Sequence, residues 1–408
     1  MIINKKLFLF TIQFPYSGGE FFLYNEVKIL SQKFETIYIF PLDLANQTII
    51  YKLPHNVKII NFNAFQSYNR IKILIKNIGL ITSIYYTELR HSNTKSKYFT
   101  QFIKTLNNII HKIAISDKLN EVLKNINTSN AVAYTYWFNQ WTFILTLINL
   151  KYQPLNIYTR IHGMDVYEEQ HSEKDFFFQF RTFQLKQIKK VFAISLNGKN
   201  HLIKQNNLNQ NNVSIIRLGT IDFGCKNIFS ATTFTIVSCS SLNLHKRVNL
   251  IIDVLVNITT PLNWIHFGDG DLLDDVLKKA KLLPNNITFT PMGFKNNEFI
   301  LNYYQTNNID LFINVSETEG VPVSIMEAIS FGIPTIATNV GGVAEIVNKK
   351  TGFLIEKYFN SMKVAKIIEC YINASIETKK ELRNSTRLFW EENYMANKNY
   401  NDLSLQLL

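Results

Sequence analysis

Cysteine is scarce: Cys225, Cys239 and Cys370 are the three in 408 residues, and no two stand in a CxxC spacing. That excludes a disulfide framework and a paired-cysteine zinc site, and fits a reducing compartment. No apolar run reaches the roughly eighteen residues of a membrane span, so no transmembrane helix is expected. Charged residues are also few, 18% against 46% hydrophobic, the balance of a folded globular chain rather than a disordered one. Lys5 and Lys6 precede the apolar run Leu7 to Phe14, but no small-residue cleavage site follows. The run leads to Gly18 and Gly19 and reads as a first strand and its loop, so the mature protein is expected to begin where the sequence does.

Acidic residues are thin in one half only. The net charge is +12, of which residues 1–222 carry +13 and the remainder −1. Between Tyr51 and Asn127 there are 12 basic and 3 acidic residues. So local a positive face suggests an anionic partner for the first half: a membrane surface, a phosphorylated lipid or nucleic acid. The plainer alternative is a solvated surface in a chain rich in Lys, Asn and Ile. Aromatics are not interleaved with the basic run, which argues against nucleic acid.

At this length two domains are the natural prior. Short apolar runs alternate with helical patterns throughout, the signature of βαβ units and parallel sheets. Strands are predicted at Lys6–Ile12, Thr36–Phe40, Val57–Ile60, Ala131–Tyr134, Ile157–Ile161, Val191–Ser195 and Val213–Arg217. A second series is predicted at Phe234–Ser238, Trp264–Phe267, Ile287–Phe289, Leu311–Val315, Thr335–Ala337 and Phe353–Ile355. The junction falls near Gly219 to Ser230, which divides the chain into domains 1–222 and 223–390. A final helical piece, 391–408, is expected to pack back on the first domain. Residues 68–127 read as a helical insertion in which Ile71, Leu74, Ile75 and Ile78 make one apolar stripe.

The most informative segment is VSETEGVPVSIMEAISFGIPTIATNVGGVAEIV, Val315 to Val347. A buried strand ends at Val315, and a polar turn with Glu317, Glu319 and Gly320 follows. Pro322 sits at a helix start, where a missing amide hydrogen is tolerated, and the helix is predicted to stop at Gly332. Its first turn offers unpaired N–H groups and the positive end of the dipole, which suits an oxygen-rich anion.

The frame EGxPxxxxEA, with seven residues between Glu319 and Glu327, then GxP and GGxxE, resembles the retaining glycosyltransferases of family 4. The resemblance implies the GT-B fold, an α/β architecture of two Rossmann-like doubly wound domains facing across a cleft. It also implies that Glu327 holds donor ribose hydroxyls and Glu319 the transferred sugar, with backbone at Gly320 and Val321 on the same sugar. VSCSSLNLHKRVNLII resembles the family's pyrophosphate-binding segment. Lys246 matches the family lysine, Ser241 stands where many members have an arginine, and Arg247 is a candidate for that second charge. Lys246 and Arg247 are predicted to open a helix. HFGDGD, residues 266–271, resembles the family's glycine turn at Gly268 rather than a metal-binding pair, because the glycines sit between a strand and a helix. Gly293 resembles the next such turn. In the first domain Gly18 and Gly19 match a loop over the donor phosphates. TRIHGMDVYEE resembles the RxHGxDxY segment, which places His162 near the reacting sugar. Asp165 either orients His162 or caps the next helix.

Together these imply a glycosyltransferase moving a hexose-type sugar from a nucleotide diphosphate sugar to a saccharide acceptor, lipid-linked in this reading, with retention of configuration. His162, Glu319 and Lys246 are the expected catalytic residues, and neither a metal nor another cofactor is implied. The expected setting is surface polysaccharide synthesis in the cytoplasm, peripheral on the inner face of the plasma membrane. The rivals are a sugar-nucleotide epimerase on the same fold and a non-catalytic sugar or nucleotide binder.

Overall fold

The structure, a computed structural model, describes residues 3–16, 20, 22–44, 47–49, 51–62, 67–91, 94–126, 128–168, 171, 173, 175–225 and 233–408. The chain forms two compact units, one of Met1–Ile216 with Tyr400–Leu408 and one of Arg217–Asn399. Each is built on one parallel sheet.

The first sheet contains β1 (Ile3–Thr11), β2 (Phe34–Pro41), β3 (Val57–Ile59), β4 (Ala131–Thr135), β5 (Asn156–Ile161), β6 (Lys190–Ala193) and β7 (Val213–Ile215). Their spatial order is β3-β2-β1-β4-β5-β6-β7, and every pairing is parallel. The sequence of β1 explains its central place. Leu7, Phe8, Leu9 and Phe10 are all buried, and alternate residues enter different cores, Leu7 and Leu9 in one, Phe8 and Phe10 in the other. A strand covered on both faces needs this unbroken apolar run.

The second sheet contains β8 (Phe234–Cys239), β9 (Leu262–Phe267), β10 (Ile287–Gly293), β11 (Leu311–Asn314), β12 (Thr335–Thr338) and β13 (Gly352–Ile355). Its order is β10-β9-β8-β11-β12-β13, again parallel throughout. Every strand predicted from the sequence is present, with ends shifted by a few residues. The fold is α/β, two Rossmann-like domains.

The insertion forms the helices Arg70–Lys76, Ile78–His91, Lys95–Thr100 and Phe102–Lys124. Its apolar stripe does not pack as one. Ile71, Ile75 and Ile78 are 70%, 69% and 61% exposed, while Leu74 packs on a core of Ile81, Ile84, Tyr98, Ile109 and Ile113. Isoleucine recurs so often here that two helical stripes overlap, and period alone does not tell which faces inward. The inward one runs through Ile73, Asn77, Ile81 and Ile84. The final helix, Ala396–Leu407, buries Leu403 and Leu407 beside Leu7 and Leu9 in the core of the first unit. Among the described residues no helix is long and apolar enough to cross a membrane.

Candidate functional site

In the second unit the strand order reverses between β8 and β11, and in open α/β sheets ligands bind beyond the strand ends at such a point. The two loops that leave these strands carry Lys246 and Glu319. Lys246 Nζ donates to Glu319 Oε1 at 2.6 Å, and Asn314 Nδ2 to the same oxygen at 3.4 Å. Both charges are partly buried, with side chains 26% and 9% exposed. Lys246 sits in a turn rather than opening a helix. Arg247 adopts a left-handed φ of 49°, and the helix begins only at Asn249. Arg247 Nε donates to Val315 O at 2.9 Å, and one of its Nη atoms to Ser316 O at 3.1 Å and Lys357 O at 3.0 Å. Its guanidinium thus ties the loop after β11 to the loop after β13, and Lys246 is the cation beside Glu319.

Glu327 lies on the helix Val323–Ser330, which starts after Pro322 and ends before Gly332 at φ +66°. Its carboxyl is 8% exposed and accepts from Asn297 Nδ2 at 2.6 Å. Burial pushes it up to about 7, and the Asn297 bond only partly offsets this. A carboxyl so situated is ready to accept hydroxyl donors that satisfy it.

Glycines bring the loops together. A Cβ on Gly268 would lie 1.8 Å from Ser240 O, so the turn after β9 rests against the loop after β8. Gly268 N donates to Gly293 O at 3.0 Å, which joins two of the predicted turns. Gly341, at φ +53°, would put a Cβ 1.8 Å from Glu319 O, and Gly342 N donates to Gly320 O at 2.8 Å. The trailing GG therefore packs under the Glu319 loop, which also carries the buried Val321. In the turn after β9, Asp269 Oδ1 accepts from Gly270 N at 2.7 Å.

In the first unit, His162 follows β5. Its Nε2 lies 3.2 Å from Tyr136 O, and its ring packs, tilted by 39° and 44°, against Tyr136 and Trp137 with centroids 4.7 and 4.3 Å away. Burial, then the Arg160 charge, holds it well below the usual histidine range, so the ring is neutral and Nε2–H donates. Asp165 Oδ2 accepts from His162 N at 3.0 Å. It caps the turn Gly163–Asp165 rather than orienting the ring. Arg160 is fully buried and pairs with Glu26 at 2.5 Å, a structural ion pair. Gly18 and Gly19 lie outside the described residues. Next to them, Glu20 was not singled out by the sequence. Its carboxylate accepts from the backbone of Ile12, Gln13 and Phe14 at 2.7–3.1 Å and from Trp137 Nε1 at 2.5 Å.

Residues 226–389 match the protein-family model "Glycosyl transferases group 1". Staphylococcus aureus Protein CapJ is 38% identical over 159 residues, which are 38% of this chain and 36% of CapJ. The Escherichia coli O-antigen biosynthesis glycosyltransferase WbnH is 31% identical over 143 residues, 34% of this chain and 39% of WbnH. The matches thus span under two-fifths of the length of these curated relatives. Among solved structures, the lipopolysaccharide outer core galactosyltransferase WaaB in its apo form superposes with a TM-score of 0.66 at 14% identity. The superposition covers 99% of this chain and 100% of WaaB, and shows the fold. Residues 226–389 are thus similar to group 1 glycosyl transferase domains, and the two parallel-sheet Rossmann-like units give the chain a GT-B-like fold.

Proposed function

We propose that the chain is a metal-independent glycosyltransferase that moves a hexose-type sugar from a nucleoside diphosphate sugar to a lipid-linked saccharide, with retention, in the synthesis of a bacterial surface polysaccharide. The observation that carries this is the Lys246–Glu319 pair at the switch point of the second sheet, with Glu327 eight residues further on. In this reading Lys246 meets the diphosphate and stabilises the charge that develops as it leaves. Glu327 takes the ribose hydroxyls and Glu319 the sugar, and neither attacks the anomeric carbon. The relatives' roles in surface polysaccharides support the setting.

The exposed face of the insertion supports a membrane-side location. No Asp or Glu occurs between Asp43 and Glu88, and Glu88 is buried. Arg70, Lys72 and Lys76 are exposed beside the exposed Ile71, Ile75 and Ile78. Basic and apolar side chains on one face suit an anionic bilayer, where each basic residue contributes about 1 kcal/mol.

Thermal shift with UDP, GDP, ADP and CMP identifies the base. Incubation of the matching nucleotide sugars with lipid acceptor extract, with and without EDTA, then tests the reaction. Transfer with retained configuration supports the reading. An epimerised donor, or no turnover, favours one of the two rivals, and loss of transfer in EDTA removes metal independence.

A further inference from the structure

A cavity of about 290 Å³ lies within the first unit, and none of the residues assigned above to the donor lines it. One wall is a single face of the helix Phe102–Lys124, with Lys104, Asn108 and Lys112 spaced one turn apart. The other is formed by the segment around Arg181 and by the first turn of the helix Gln140–Lys151, whose positive dipole end opens here.

Of the two buried cations here, Lys112 has no carboxylate acting on it among the described residues, and Arg181 has donor capacity to spare. Lys112 is 7% exposed, and its ammonium donates to the neutral carboxamide oxygen of Gln140. Burial pushes it down to about 8, and among the described residues no carboxylate opposes the shift. Arg181 is also 7% exposed, its guanidinium 3.7 Å from the Phe138 ring centroid and 4.3 Å from that of Phe178. One Nη reaches Phe138 O at 3.4 Å, while Nη1 has no hydrogen-bond partner among the described residues. Asp165, Glu168 and Glu88 act on Arg181 through space. At the rim, Glu173 is engaged by Lys104 at 3.3 Å. An ammonium buried without a counter-ion costs folding free energy and is retained where a ligand supplies the missing charge.

We propose that this cavity binds a phosphoryl group of the acceptor, held by Lys112 and Arg181. The word acceptor rests on the transferase reading, but the binding does not depend on turnover. A phosphoryl group reaches the cavity either on a lipid diphosphate or on a soluble sugar phosphate.

The test is calorimetric titration of the full chain in a Lys246→Ala background, which removes the cation assigned to the donor diphosphate. Farnesyl diphosphate and glucose 1-phosphate are the probes. Binding is expected for at least one, and the tighter probe identifies the source. Lys112→Met and Arg181→Gln should each weaken it at least tenfold, while Lys124→Met, exposed on the same helix, leaves it unchanged. Lys112→Met should also raise Tm, which loss of a purely structural lysine would not do. If Arg181→Gln fails to fold, Lys112→Met decides alone. No binding of either probe, or binding that survives the substitutions, overturns the proposal. Failure of nucleoside diphosphates to bind the unsubstituted chain, with the cavity still occupied, would instead overturn the donor assignment.

Discussion

Lys246 and Glu319 hold one another at 2.6 Å across the reversal in strand order of the second sheet, so each charge positions the other. Removing either should therefore be felt differently by the nucleotide and by the sugar. Glu319→Gln is expected to lower turnover more than nucleoside diphosphate affinity, whereas Lys246→Met should weaken the diphosphate itself. Charge-assisted hydrogen bonds of this kind are worth about 1.5–3 kcal/mol, roughly ten- to a hundredfold. Steady-state kinetics with calorimetry on both variants checks this, and equal losses for free diphosphate and intact donor in Glu319→Gln would move that carboxylate to the nucleotide.

Glu327 makes both stability and binding depend on pH. Its folded-state value is raised from 4.5 to about 7, chiefly by burial. Its contribution to stability is therefore full below about pH 4.5 and lost as pH rises through 7, amounting to about 3 kcal/mol at most. Nucleotide affinity should move the opposite way, rising through pH 7 as the carboxylate forms to accept the ribose hydroxyls. Glu327→Gln is expected to flatten both profiles and to weaken binding above pH 7. Melting and titration of the two proteins from pH 4.5 to 8 measure the difference, which isolates Glu327 from the other groups that titrate in this range.

For His162 the expected result is a slower reaction with unchanged nucleoside diphosphate binding in His162→Ala. Because the ring is held well below its usual range, the rate of the unsubstituted protein should show no His162 inflection near pH 6.5. A variant with full turnover would make His162 a packing residue for Tyr136 and Trp137.

Gly341→Ala is the most local test of the site. The left-handed φ of +53° and a Cβ 1.8 Å from Glu319 O leave no room for a methyl group. The Glu319 loop must move, so activity should fall at least tenfold. Thermal melting with assay checks it; a fully active variant would show that the loop's placement does not matter to the reaction.

The exposed face of the insertion should sediment with anionic vesicles and be released by salt. Arg70, Lys72 and Lys76 to Glu, or Ile71, Ile75 and Ile78 to Ser, should each weaken the binding severalfold. Lys97 is the internal control, since its ammonium is 2.7 Å from Phe176 O and 3.4 Å from Glu168. Equal binding to neutral vesicles would remove the membrane from the picture.

The sheets were legible because buried parallel strands advertise themselves, as Leu7 to Phe10 do, and because short apolar runs returned at regular intervals. Lys246, Glu319 and Glu327 were legible because they stand in a spaced frame with Gly and Pro. Other features left no local trace. Asn297 supports Glu327 from another helix, and Glu20 is joined to Trp137 over more than a hundred residues of sequence. The partners of Arg247 are backbone carbonyls, which any sequence supplies. Nor did a basic pair before a helix reveal that its second member would turn left-handed and end the approach to that helix.

The last helix has a consequence for biosynthesis. Leu403 and Leu407 are fully buried in a core otherwise built from residues before 217. The first unit therefore leaves the ribosome with an open seam beside Leu7 and Leu9, and keeps it open while the whole second unit is translated. Until those turns of helix are made, the apolar surface they cover is exposed, and such surface is prone to association during folding.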